Sequence, residues 1–170
     1  MLILKFLQTL IKALNSDGTP FQVGIGMALG MCLGLTPIMS LHNVVILAIA
    51  MLTTVSFPGF MLGWFVAVPL GFALDPLFDR IGMALLTNDA LTPFFTWLVN
   101  TPVAALSRLN NTIVLGSLVA WFIAFLPATF LFRYLVGRYR EHVFARLQQT
   151  KLFQAIKASK VYGVYETFRP

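Results

Sequence analysis

No Asp, Glu, Lys or Arg occurs between Asp17 and Asp75, a run of 57 residues. A second uncharged run of 24 residues lies between Arg108 and Arg133. A soluble domain of 170 residues could not hide both from water, so the bilayer is the expected solvent. Only 11% of the residues are charged, against about 25% in soluble domains. The length fits one membrane domain over residues 1–170, with a surface helix in 1–16, a membrane core in 20–132 and a basic cytosolic helical tail in 133–170.

Within the first run, Gly26, Gly30 and Gly34 recur every four residues. On a helix they form a bare stripe, a helix-packing face that lets a second helix approach closely inside a bilayer. Thr19 is a candidate N-cap and Pro20 a first helical residue. The helix from about Phe21 to Leu35 is short for a span, and the next apolar run, Val44 to Val55, is shorter. The two either cross a thin membrane or form a re-entrant hairpin buried in protein. A third run, Phe60 to Leu74, is expected to bend near Pro69, and a new helix is expected to restart at Asp75-Pro76 with Asp75 as N-cap. Thr92-Pro93 and Thr101-Pro102 mark short interfacial helices, with Phe94, Phe95 and Trp97 as boundary aromatics. Residues 111–132 make the strongest conventional span, and a basic amphipathic helix is expected from Arg133 to about Lys160, with Val136, Tyr139, Val143 and Leu147 on one face. Residues 2–15 carry Lys5, Gln8, Thr9, Lys12 and Asn15 on one stripe, which suits an N-terminal amphipathic interfacial helix.

The fold class that follows is all-α: a polytopic membrane protein of about four transmembrane or re-entrant helices, 21–37, 41–56, 60–75 and 111–132. Residues 133–170 hold eight Lys or Arg and two Glu, a cytosolic flank signature. Both ends are basic, so both are expected in the cytoplasm, with residues 75–108 outside. Nucleic-acid binding is the other use of a basic tail, and no aromatic stacking module accompanies it here.

Two places could carry function. The break between the first two helices, Thr36, Pro37, Ser40, His42 and Asn43, places polar groups at membrane depth, where they are costly. A broken helix exposes backbone groups that transporters use to hold ions or head groups, and His42 titrates near neutral pH. The competing reading is that these residues cap the second helix. The second candidate is Asp75, Asp79 and Arg80, as a contact for a lipid head group or partner, against plain capping and surface charge. Asn110, Asn111 and Thr112 open the last span and read as capping.

Catalytic and cofactor patterns are missing from the sequence: it has no Walker loop, no G-x-S-x-G and no H-E-x-x-H. Gly24 and Gly26 form a G-x-G with no preceding strand, which rejects a dinucleotide fingerprint. Met27, Met31, Cys32, Met39 and His42 could be drawn as soft copper ligands, but methionine in apolar helices is packing material. Cys32 is the only cysteine and can form no internal disulfide. No enzyme activity, cofactor or metal is expected. No cleaved signal peptide is expected either, because Lys5 and Lys12 interrupt the amino-terminal apolar stretch.

The Gly-spaced helix GIGMALGMCLGLTP, the turn TPIMSLHN, a short second helix and a third run leading to Asp75-Pro76 together resemble a bacterial integral-membrane family, domain of unknown function 2062. The likeness covers roughly residues 18–135. The wider family more often has Asn-Pro where Asp75-Pro76 stands, and a Gly where Met39 and Ser40 stand, while LDPLFDRIG and RLNNTIVLGS resemble one branch. That resemblance implies a bacterial inner membrane, membrane lipids as contacts, and an AsmA-like partner, a long lipid-conducting bridge across the periplasm. The expected function is a non-catalytic component of envelope phospholipid transport, and the alternative is a structural anchor for the partner. A homo-oligomer is compatible with either.

Overall fold

The computed structural model describes Leu14 and residues 18–144, and these residues form helices joined by short turns. The expected amphipathic helix of residues 2–15 lies outside the described residues except for Leu14, as does the tail beyond Phe144. α1 runs Pro20–Leu35, α2 Leu41–Leu52, α3 Phe57–Leu86, α4 Thr92–Asn100, α5 Pro102–Ala105 and α6 Thr112–Arg138. A 3-10 turn, Asp89–Leu91, precedes α4, and a π-helical turn, Tyr139–Phe144, continues α6.

The caps explain why α1 and α6 begin where they do. Thr19 accepts from the Gln22 amide at 3.2 Å while the Gln22 side chain accepts from the Thr19 amide at 2.8 Å, a capping box, and Pro20 follows where its missing N–H costs nothing. Asn111 accepts from the Val114 amide at 3.1 Å and starts α6.

α3 departs from expectation. Neither Pro69 nor Pro76 interrupts it: both sit inside one helix of 30 residues. Asp75 is therefore an interior residue and caps nothing. Each proline removes one donor and the bond that would reach back four residues, a local loss that packed membrane helices tolerate. The expected third run and the expected interfacial helix after it are a single element. Likewise no new helix begins at Arg133: α6 runs through it, and Val136 is buried against Val23, Met27 and Leu62.

α1 and α3 lie parallel and in contact, and α6 runs antiparallel to both. A Cβ at Gly26 would meet Ser56 O at 2.5 Å, at Gly30 Phe60 O at 1.9 Å, and at Gly34 Ala67 Cβ at 2.5 Å. α3 answers with its own small-residue row: a Cβ at Gly63 would meet Met27 O at 2.1 Å and at Gly71 Gly34 O at 2.5 Å. The two backbones touch along the whole of α1, which only residues without side chains permit. α6 crosses α3 the same way, with a Cβ at Gly116 meeting Phe78 O and one at Gly82 meeting Thr112 O.

Among the described residues, two helices are long and apolar enough to cross a membrane: α3, and α6 with its π-helical continuation over Thr112–His142. Their outward faces are apolar too: Phe65, Phe72, Phe122, Ile123 and Phe130 are all exposed.

Candidate functional site

The α1–α2 hairpin is short beside its neighbours. Its top, at Gly34, packs on Ala67 and Gly71, the middle of α3, which continues to Leu86. Its base is fixed by the Ser56 amide donating to Gln22 O at 3.1 Å, which sets the N-cap of α3, just after α2, beside the start of α1. At the same base a Cβ on Gly24 would meet Arg133 N at 2.7 Å. From that level α1 rises about 18 Å to Thr36, while α6 covers about 31 Å between Arg133 and Thr112. The turn thus stops about 13 Å short of the level of Thr112.

At the turn, Thr36 leaves the helix in an extended conformation and Pro37 prevents its continuation. Its hydroxyl lies 2.7 Å from Cys32 O and 2.8 Å from Asn43 Oδ1, sharing one hydrogen between two acceptors. Asn43 Nδ2 donates to Pro37 O at 2.9 Å and to Ile38 O at 3.3 Å. Ser40 Oγ donates to Pro37 O at 3.0 Å. Thr36, Ser40 and Asn43 are each only 4% exposed. The break is therefore closed by its own side chains. Ser40 occupies the N-cap position of α2 but makes no capping bond with its side chain, which turns back to Pro37 instead.

Of the five residues predicted for the notch, four meet in this network: Thr36, Pro37, Ser40 and Asn43. His42 does not join it. Both ring nitrogens of His42 are inaccessible to solvent and have no partner among the described residues, and the same holds for Trp64 Nε1 on α3. Around them the hairpin is apolar and open, with Ile38 and Met39 exposed at the tip and Val44, Met51 and Leu52 along α2. The inner side of α2 buries Asn43, Ile46 and Ala50, the last two in a cluster with Leu29, Cys32, Phe60 and Trp121.

The second predicted cluster does not assemble. The Asp79 carboxylate accepts a short hydrogen bond from the Thr112 hydroxyl and ties α3 to the first turn of α6. Asp75 and Arg80 form no ion pair with it or with each other among the described residues. The stripe of Gly26, Gly30 and Gly34 is filled by the chain's own α3.

Two ties escaped the sequence reading. Trp121 Nε1 donates to Ala28 O at 2.8 Å, buried between α6 and α1. Its mid-span position was the available signal, since membrane tryptophans concentrate at interfaces unless their N–H has an internal partner. Arg140 donates from Nε to Leu14 O and from a guanidinium nitrogen to Gly18 O, both at 2.8 Å. Nothing local in the sequence signals a pairing over that separation.

The hairpin, the glycine-packed pair and the long α3 define a family of helical proteins. Over residues 4–144 the chain matches the family described as "Uncharacterized protein conserved in bacteria (DUF2062)", and it belongs to that family. A relative described as "Uncharacterized protein", from Treponema pallidum (strain Nichols), is 26% identical over 158 residues, covering 91% of this chain and 96% of the relative. No solved structure matches the chain.

Proposed function

We propose that this protein is a non-catalytic membrane subunit of bacterial envelope phospholipid transport, embedded in the inner membrane with both ends cytoplasmic. In this reading α3 and α6 span, and the α1–α2 hairpin re-enters from the basic side. The distance from Arg133 to Thr112 along α6, about 31 Å, matches the roughly 30 Å hydrocarbon core, so a hairpin rising about 18 Å ends inside it.

The observation that carries the proposal is His42. Asn43, Ser40 and Thr36 spend their hydrogen-bonding capacity on the turn itself. His42 keeps two buried ring nitrogens without partners among the described residues, on a helix, α2, whose exposed residues are apolar. A buried polar group left unpaired is expensive, and in a membrane it is kept where it serves a passing polar group. A phospholipid whose tails lie along α2 could present its head group there once the His42 ring turns outward to meet it. The bridge partner implied by the resemblance, an AsmA-like protein, would receive the lipid on the other side. The chain has no nucleotide-binding motif, so a gradient or that partner would set direction.

The test is lipid movement in vesicles carrying the full chain, using a head-group-labelled phospholipid and a quencher on one side. Movement by the wild-type chain that is lost in His42→Ala, with unchanged thermal stability, is the expected result. Equal movement by both chains removes His42 from the role.

The anchor reading predicts no lipid movement by the wild-type chain alone. One observation bears on how such an anchor would work: the glycine stripe is occupied by α3, so a partner's transmembrane helix would have to dock elsewhere.

A further inference from the structure

The cytoplasmic half of α6 carries a second feature that the hairpin does not use. An open groove of about 430 Å³ lies between the start of α1 and the end of α6, lined by Pro20, Phe130, Arg133, Tyr134, Gly137 and Arg138, with Glu141 at its far end. The α6 residues recur at spacings of three and four, so they share one helix face. Arg133 and Arg138 flank this face on opposite sides. Between them stands Gly137, where a Cβ would meet nothing within 4 Å. The floor of the groove is thus open on the helix face between Arg133 and Arg138.

Both arginines are held by aromatic rings. Arg133 lies over Phe21 with 5.9 Å to the ring centroid, and Arg138 over Tyr134 with 5.8 Å. Stacking on a ring orients a guanidinium while leaving its N–H edge available for a planar or tetrahedral oxyanion. Neither has a carboxylate partner among the described residues. Glu141 is the one acid lining the groove, and its exposed carboxylate lies 3.9 Å from His142 Nδ1. One turn back along α6, Phe130, which lines the groove, is exposed and apolar. The groove therefore grades from hydrocarbon to paired positive charge along one helix face.

We propose that this groove binds the phosphodiester head group of an anionic phospholipid, with Arg133 and Arg138 on the phosphate and the acyl chains along Phe130. The shared chemistry is an oxyanion, and the apolar continuation favours a lipid over free phosphate. This site is separate from the hairpin and stands whether or not His42 serves transport.

The full chain, delipidated in neutral detergent, is titrated with phosphatidylglycerol, phosphatidylcholine or inorganic phosphate, and bound adducts are counted by native mass spectrometry. One phosphatidylglycerol is expected to bind preferentially over phosphatidylcholine. Each arginine near an anionic head group contributes about fivefold in affinity, so the Arg133→Gln, Arg138→Gln double variant should lose roughly twenty-five-fold. Gly137→Leu keeps both charges and fills the floor, and its Cβ meets no neighbour within 4 Å, so it should lose the adduct while keeping the wild-type melting temperature. Retained phosphatidylglycerol preference in the double variant overturns the site. Wild-type binding by Gly137→Leu overturns it too, because diffuse charge would then suffice, and this variant decides alone if the arginine variant does not fold. Inorganic phosphate that displaces phosphatidylglycerol at equal concentration overturns the lipid assignment in favour of an adventitious anion site.

Discussion

At the scale of single residues, the hairpin break separates an amide bonded into the turn from an imidazole that takes no part in it. Asn43 bonds three groups at once, the Thr36 hydroxyl, Pro37 O and Ile38 O, and each keeps a second partner when Asn43 is removed: Cys32 O, Ser40 Oγ and the Ser40 amide. A net hydrogen bond contributes about 0.5–1.5 kcal/mol, so losing these bonds in Asn43→Leu should destabilise the protein by about 1–3 kcal/mol. His42→Leu should behave oppositely. It removes two unpartnered nitrogens and adds apolar surface, so stability should hold or rise by up to about 1 kcal/mol. Denaturant unfolding in detergent micelles reads both, and equal losses for the two variants would contradict this division of roles. From sequence, Thr36, Ser40, His42 and Asn43 were one undifferentiated polar group. Their identities and depth were legible, but which of them faced the turn was not, because that depends on the extended backbone at Thr36 and the side-chain directions it sets.

At the scale of elements, the bundle is organised by where side chains are missing. A Cβ at Gly30 would stand 1.9 Å from Phe60 O, a backbone atom that cannot swing aside. Gly30→Ala should therefore force α1 from α3 and cost about 3 kcal/mol or more, or prevent folding outright. Gly137→Ala, on a helix of the same bundle, meets nothing and should stabilise by up to about 1 kcal/mol through helix propensity. Thermal melting of the pair distinguishes close approach from a general dislike of alanine. The α1 stripe was readable because a four-residue glycine period has one meaning in apolar sequence. Its partner row on α3, Gly59, Gly63, Ala67 and Gly71, has the same period but is overlaid by Pro69. The Asp75-Pro76 signal, sound for water-exposed helices, gave the wrong element there. It describes local backbone preference, and in α3 the continuous packing of Phe60 to Gly82 on α1 and α6 outweighs it.

At the scale of the whole molecule, the open question is depth, and the geometry reduces it to one comparison. The hairpin turn sits level with the middle of α3, whereas the Asp79–Thr112 tie marks the far end of the uncharged stretch of α6. If the bilayer spans from Arg133 to Thr112, Met39 lies in the hydrocarbon. If it spans only the hairpin's own height, Met39 is at the outer surface and the upper third of α3 stands in water. Met39 is the better probe than its buried neighbours Ser40 and Asn43, because it is 76% exposed and makes no bond that a substitution would break. In a Cys32→Ala background, single cysteines at Met39, Asn88 and Arg138 would be treated with a membrane-impermeant thiol reagent from each side. The re-entrant arrangement requires that Asn88→Cys and Arg138→Cys label from opposite sides and that Met39→Cys labels from neither until detergent opens the bilayer. Labelling of Met39→Cys from the same side as Asn88→Cys would instead make the hairpin a full crossing. His42, two residues into α2, would then lie near aqueous solvent, where an imidazole needs no partner in the protein, and the physical reason for giving it a lipid-handling role would go with it.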